Sequence, residues 1–118
     1  MEKPKTVLLV EDHALVTDVL EVVLQRRGYV VLKARRGDTA AELLEANDIP
    51  LLITDIELPG KSGLELIEQL RSRSRSAKIV AMSGRGHQQL SQALVKGADA
   101  TLKKPFTAEA LTSVLSKL

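Results

Sequence analysis

The chain has 118 residues, enough for one domain around a single core. Hydrophobic residues make up 44% and charged residues 27%, and Lys+Arg 17 against Asp+Glu 15 leaves a formal charge of +2, too small to argue for nucleic acid or an anionic membrane surface. There is no cysteine, which excludes disulfides, thiolate metal sites and cysteine nucleophiles, and one tyrosine and one phenylalanine cannot build ring-stacking sites for bases, flavins or sugars.

The first apolar run, "TVLLV" at 6–10, has only four apolar residues, Val7 to Val10, before Glu11-Asp12. That is too short for a signal peptide or a membrane span, so a cytoplasmic location is expected. In 13–27, Val16, Val19, Leu20, Val23 and Leu24 recur with helical spacing, and Gly28 follows as a stop. The second run is "YVVLKA" at 29–34. After it Asp38 is placed to cap a helix carrying Ala40, Leu43 and Leu44. The third run, "PLLITD" at 50–55, ends on Asp55, with Glu57 and Pro59-Gly60 just beyond.

Ser62 and Glu65 have capping-box spacing ahead of Leu66, Ile67 and Leu70. "RSRSRS" at 71–76 reads as the frayed end of that third helix. The fourth run is "KIVAMS" at 78–83. A helix with Leu90, Ala93 and Leu94 follows and stops at Gly97. The fifth run is "ATLKK" at 100–104, and Thr107 caps a last helix with Leu111, Val114, Leu115 and Leu118 on one stripe.

The first, third and fourth runs are apolar without alternation, so both faces of each strand are covered. Strand and helix alternate five times, which predicts a parallel sheet with right-handed crossovers and helices on both faces. The chain ends with the fifth helix and is expected to be one domain, 1–118, with no output domain within it.

Ligands of open parallel sheets bind beyond the carboxyl ends of the strands. Those positions hold Glu11 and Asp12, then Asp55, then Ser83-Gly84, then Lys104-Pro105. Each alone has an ordinary structural reading: Asp12 as a helix cap, Asp55 in a turn, Ser83-Gly84 as a turn, Lys104 as a solvated lysine. Together they place three carboxylates, a hydroxyl and an ammonium at one edge. Two like charges ~4 Å apart repel by about 4 kcal/mol at an effective dielectric of 20. A hard cation held by carboxylates, waters and a phosphate relieves this, and Mg2+ suits such a site. One carboxylate can then attack phosphorus, with Ser83 and Lys104 binding the phosphoryl oxygens.

With these residues, "VLLVEDH", "LLITDIELPGKSGLELI", "KIVAMSG" and "GADATLKKPF", the sequence resembles the receiver domain of two-component response regulators over nearly its whole length. The resemblance implies an α/β, three-layer doubly wound (βα)5, flavodoxin-like fold, with a five-stranded parallel sheet in the order 2-1-3-4-5. It implies that Asp55 takes a phosphoryl group from a histidine kinase, a histidine phosphotransfer protein or a small donor such as acetyl phosphate. Mg2+ would be held by Asp12 and Asp55 directly, by the Glu57 backbone carbonyl, and by Glu11 through water. Ser83 would move to the phosphoryl group, Lys104 would hold it from the other side, and the Lys104-Pro105 peptide would be cis. Such a domain is a signalling module acting only on its own phosphoryl group, with no direct nucleic-acid or membrane partner.

The sequence departs from the family at Thr101, where most members carry tyrosine or phenylalanine. The aromatic half of the usual switch is therefore missing, and Phe106 reads as core. Gly84 and Gly86 bracket Arg85 in the loop that Ser83 must pull, and Arg85 is placed to approach Glu57 and gate water. His13 reads as an exposed first-turn residue and His87 as a helix-start residue; neither has the setting of a phosphodonor histidine. Two alternatives are a degenerate receiver acting as a phosphorylation-independent protein-interaction module, and a flavin or nucleotide domain. The second lacks a phosphate loop after the first strand, where Glu11-Asp12-His13 stands instead.

Overall fold

The computed structural model describes residues 5–118. Its elements alternate from strand to helix throughout: β1 (Lys5–Val10), α1 (Ala14–Arg26), β2 (Tyr29–Ala34), α2 (Gly37–Ala46), β3 (Leu51–Asp55), α3 (Gly63–Arg73), β4 (Lys78–Ser83), α4 (His87–Lys96), β5 (Ala100–Lys103) and α5 (Ala108–Ser116). The strands form one sheet in the order β2-β1-β3-β4-β5, and every pairing is parallel.

Continuous apolar strands become a two-sided core because successive side chains point to opposite faces. Leu8, Val10, Leu52, Ile79 and Ala81 enter one cluster with residues of α2, α3 and α4. Val7, Leu9, Leu51, Ile53, Val80 and Met82 enter the other, with Leu20 and Leu24 of α1 and Leu111 and Leu115 of α5. All five residues of β3 are buried, as a central strand covered on both faces must be. Each such Leu or Ile contributes about 1.5–3 kcal/mol by leaving water. Edge strand β2 lacks this double cover, and Val30 on it is exposed.

Helix ends follow local chemistry at Ser62 and Thr107, whose side chains accept from the Glu65 and Ala110 amides at 3.3 and 3.0 Å. Gly97 ends α4 with φ 123°, a conformation that costs glycine little.

The expected cap at Asp38 is absent, and so is the ordinary structural reading of Asp12 as a cap. Asp12 does not cap α1: His13 holds that position, with no side-chain cap bond. Asp38 does not cap α2, because the helix begins two residues earlier than such a cap requires, with Arg36 at the cap position. A Cβ at Gly37 would lie 1.7 Å from the Lys61 carbonyl oxygen, so only glycine fits there, and its N–H donates to the Pro59 carbonyl. Asp38 instead sits in the first turn against Arg36, whose hydrogen bond holds its carboxyl below the usual range.

Two stripe residues face outward. Val19 is 59% and Leu94 50% exposed, because each lies at the margin of an arc wider than the sheet covers. Thr17, not Val19, completes the buried side of α1, its hydroxyl directed at the Glu11 carbonyl.

The "RSRSRS" patch does end α3, but it is pinned rather than frayed. Arg71 donates to the carbonyls of Gly97, Arg75 and Ala77 and to the Asp99 carboxylate. Asp99 also accepts from the Ile79 amide at 2.8 Å. The C-terminal ends of α3 and α4 and the start of β4 are thus joined through one guanidinium.

Candidate functional site

The carboxyl ends of β1, β3, β4 and β5 open on one crevice. Asp55 stands at the last position of β3, only 4% exposed. Its backbone is tightly fixed: Thr54 Oγ1 lies 2.9 Å from the Asp55 carbonyl oxygen, and the next amide, Ile56, donates to Met82. Gly63 presses on the same peptide, and a Cβ there would meet the Asp55 carbonyl oxygen at 2.1 Å. The Lys104-Pro105 peptide, just past β5, is cis.

Lys104 joins two of the expected residues. Its Nζ donates to Glu11 Oε2 at 2.7 Å, Glu11 Oε1 at 2.9 Å and Asp55 Oδ2 at 2.9 Å. Glu11 is fully buried, which an isolated carboxylate tolerates only with such a partner. Burial pushes the Asp55 carboxyl up to about 6, its contacts with Lys104 oppose the rise, and the Glu11 charge adds to it. Burial works against the Lys104 ammonium, but its hydrogen bonds to Glu11 and Asp55 outweigh it, leaving the lysine above its ordinary value.

The other Asp55 oxygen, Oδ1, is buried with no hydrogen-bond partner among the described residues. Such an orphan costs free energy until something meets it. Asp12, beside Glu11, keeps a part-exposed carboxylate. Glu11, Asp12 and His13 each offer one ligand atom within 4.8 Å of the others. Hard oxygens and an unpartnered buried acceptor together suit a divalent cation.

Ser83 ends β4 fully buried, on the opposite flank. Its hydroxyl lies 3.0 and 3.1 Å from the two Glu57 oxygens and 3.3 Å from Gln89 Oε1, and it accepts from the Arg85 amide at 3.1 Å. The expected Arg85–Glu57 contact is not formed: among the described residues Arg85 makes no ion pair, and its side chain is exposed. Ser83 has taken the Glu57 carboxylate, and Arg85 serves the site through its backbone. Thr101 lies half-buried on β5 in register with Ala81, and Phe106 packs against the α1/α5 core as expected.

Residues 7–116 match the family described as the response regulator receiver domain. The chain belongs to the response regulator receiver family. The receiver is 34% identical over 117 residues to the nitrate/nitrite response regulator protein NarL of Escherichia coli K12, covering 97% of this chain and 54% of NarL. It therefore spans about half the length of that relative. A CheY-like receiver domain protein from Methanospirillum hungatei superposes with a TM-score of 0.90 at 26% identity, covering 98% of this chain and 93% of the other. The receiver domain of a sensor histidine kinase from Pseudomonas aeruginosa, with a magnesium ion coordinated in its active-site cleft, superposes with a TM-score of 0.85 at 26% identity, covering 98% and 97%.

Three residues of this receiver's crevice escaped the sequence reading. Gln89 and Gly63 carry no chemical signal in a single sequence. His13 is 71% exposed, as expected, yet its Nδ1 lies 3.0 Å from Glu11 Oε1 and 3.2 Å from Asp12 Oδ1. Its place directly after two acids was the available signal.

Proposed function

We propose that Asp55 is the phospho-acceptor of a two-component signalling receiver. The observation that carries this reading is the Asp55 carboxylate itself: buried, tethered through Oδ2 by Lys104, and with Oδ1 free of a partner among the described residues. The Asp55 carboxylate attacks the phosphorus of a phosphohistidine on a histidine kinase or histidine phosphotransfer protein. The new O–P bond forms as the N–P bond breaks, and the electron pair leaves with the imidazole. Lys104 neutralises one side of the transferred group, and Ser83 exchanges Glu57 for a phosphoryl oxygen. Burial raises the basicity of the metal-free Asp55 carboxylate, as suits a group that must act on phosphorus.

Asp12, Asp55 and the Glu57 backbone carbonyl would hold Mg2+, with Glu11 acting through water; bound there, the ion neutralises charge on the phosphoryl oxygens. Beside Lys104 an apolar groove of about 350 Å³, lined by Leu15, Val16, Val19, Leu20, Pro105 and Phe106, supports docking of the phosphodonor protein. Among the described residues no helix is long and apolar enough to cross a membrane. The readout is a change in partner-binding surface carried by Ser83 and the loop to α4, since Thr101 offers no ring to rotate.

Incubation with acetyl phosphate and Mg2+, read by intact mass, tests the proposal. One added phosphoryl group is expected in the parent and none in Asp55→Asn. A parent that stays unlabelled where a control receiver is labelled overturns it.

A further inference from the structure

The ring of His13 does nothing for the helix it opens. The residue has the extended backbone of an N-cap, φ −90° and ψ 114°, but its side chain makes no cap bond. Nδ1 turns instead towards Glu11 Oε1 and Asp12 Oδ1, at 3.0 and 3.2 Å. These separations have a second meaning. Neighbouring ligands on an octahedral cation with bonds of about 2.1 Å lie about 3 Å apart. The His13 nitrogen stands at about that spacing from Asp12 Oδ1, a carboxylate assigned above to the cation.

The lone pairs divide in a consistent way. Lys104 occupies Glu11 Oε2 and Asp55 Oδ2. Asp12 Oδ1 faces only the His13 ring nitrogen among the described residues, at 3.2 Å, and Asp55 Oδ1 is buried without a partner among them. Asp55 borders the acid cluster, because Lys104 bridges it to Glu11 and the Glu11 charge acts on it directly. The buried orphan oxygen and the acid–histidine cluster are independent observations that point to one occupant. His13, mostly solvent-exposed, meets that occupant at the mouth of the crevice, where a hydrated ion arrives.

We infer that His13 Nδ1 is a protein ligand of the cation site, and that it gives this receiver a preference for a first-row divalent transition ion over Mg2+. The inference rests on the metal role proposed above for Asp12 and Asp55. Mg2+ takes oxygen ligands and parts reluctantly with water, so an imidazole adds little to its binding. Co2+, Ni2+ and Zn2+ accept imidazole readily, and an all-oxygen site gives them no such increment.

Calorimetric titration of the full chain with MgCl2 and with CoCl2 tests this, in the parent, His13→Ala, His13→Asn and, as a control for stray imidazole binding, His87→Ala. The expected result is a Co2+/Mg2+ affinity ratio that falls roughly tenfold or more in both His13 variants, the scale on which even the outer partners of metal ligands act. Mg2+ affinity and the His87→Ala ratio stay as in the parent. Proton NMR gives a direct second readout: Co2+, not Mg2+, shifts and broadens the His13 ring signals while those of His87 persist. An unchanged ratio, or an unperturbed His13 ring, overturns the inference and leaves the Mg2+ reading standing. A parent that binds neither ion overturns both.

Discussion

The two flanks of the crevice are built from different forces. On the β1/β5 flank, Glu11, Lys104 and Asp55 form a buried ionic triad with every contact between 2.7 and 2.9 Å. On the β4 flank, Ser83 is held by neutral or singly charged hydrogen bonds of 3.0 to 3.3 Å, next to a loop in which Gly84 and Arg85 are exposed. A buried ion pair is costly to break one partner at a time, whereas a hydroxyl can exchange acceptors for about 1 kcal/mol. Under the function proposed above, the first flank would set where the phosphoryl group sits, and the second would be free to respond to it.

The largest test of this contrast removes Lys104. Lys104→Met leaves Glu11 and Asp55 buried without their cation, and should lower unfolding free energy near neutral pH by about 3 kcal/mol or more in urea titrations. A loss under about 1 kcal/mol would show that the triad is not a rigid unit.

Asp55→Asn acts in the opposite direction. Burial raises Asp55 to about 6 in the folded chain against an ordinary 3.8, so between those values the native state holds more protons than the unfolded one. Stability then falls as pH rises through that window, and the penalty is complete above it. Near neutral pH the variant should be more stable than the parent by about 1–3 kcal/mol, with the gap closing below about pH 4. A gap that does not change with pH would reject burial of the charge as its source.

On the other flank effects should be smaller. Glu57→Ala strips Ser83 of its main acceptor and should cost about 0.5–1.5 kcal/mol by thermal or urea unfolding. Gln89→Ala removes the longest of the Ser83 contacts and should stay within about 0.5 kcal/mol. If either exceeds the Lys104 variant, the assignment of rigid and responsive flanks is reversed.

The strands were legible because burial on both faces leaves a continuous apolar run, and β3 and β4 show it plainly. The chemical edge was legible because parallel topology sends every strand end to one side, so Asp12, Asp55, Ser83 and Lys104 converge. What stayed hidden depends on contacts between distant segments. Asp38 has the chemistry of a cap, yet the Lys61 carbonyl pressing on Gly37 decides where α2 begins. Arg85 has the charge to pair with Glu57, yet the nearer Ser83 hydroxyl takes the carboxylate. Serine–arginine alternation gave no hint that Arg71 would find the Gly97 carbonyl across the fold.

That last contact gives α4 a mechanical character. One end of the helix is clamped, with Arg71 on the Gly97 carbonyl and Asp99 and the Ala98 amide bonded back to Ala93. The other end follows Gly86, at φ 105° with open space around it. A helix of ten residues is about 15 Å long. α4 is thus fastened at its Gly97 end and tied to the crevice near its start through Gln89, so its two ends answer to different parts of the fold: the Arg71 anchor and the Ser83 hydroxyl.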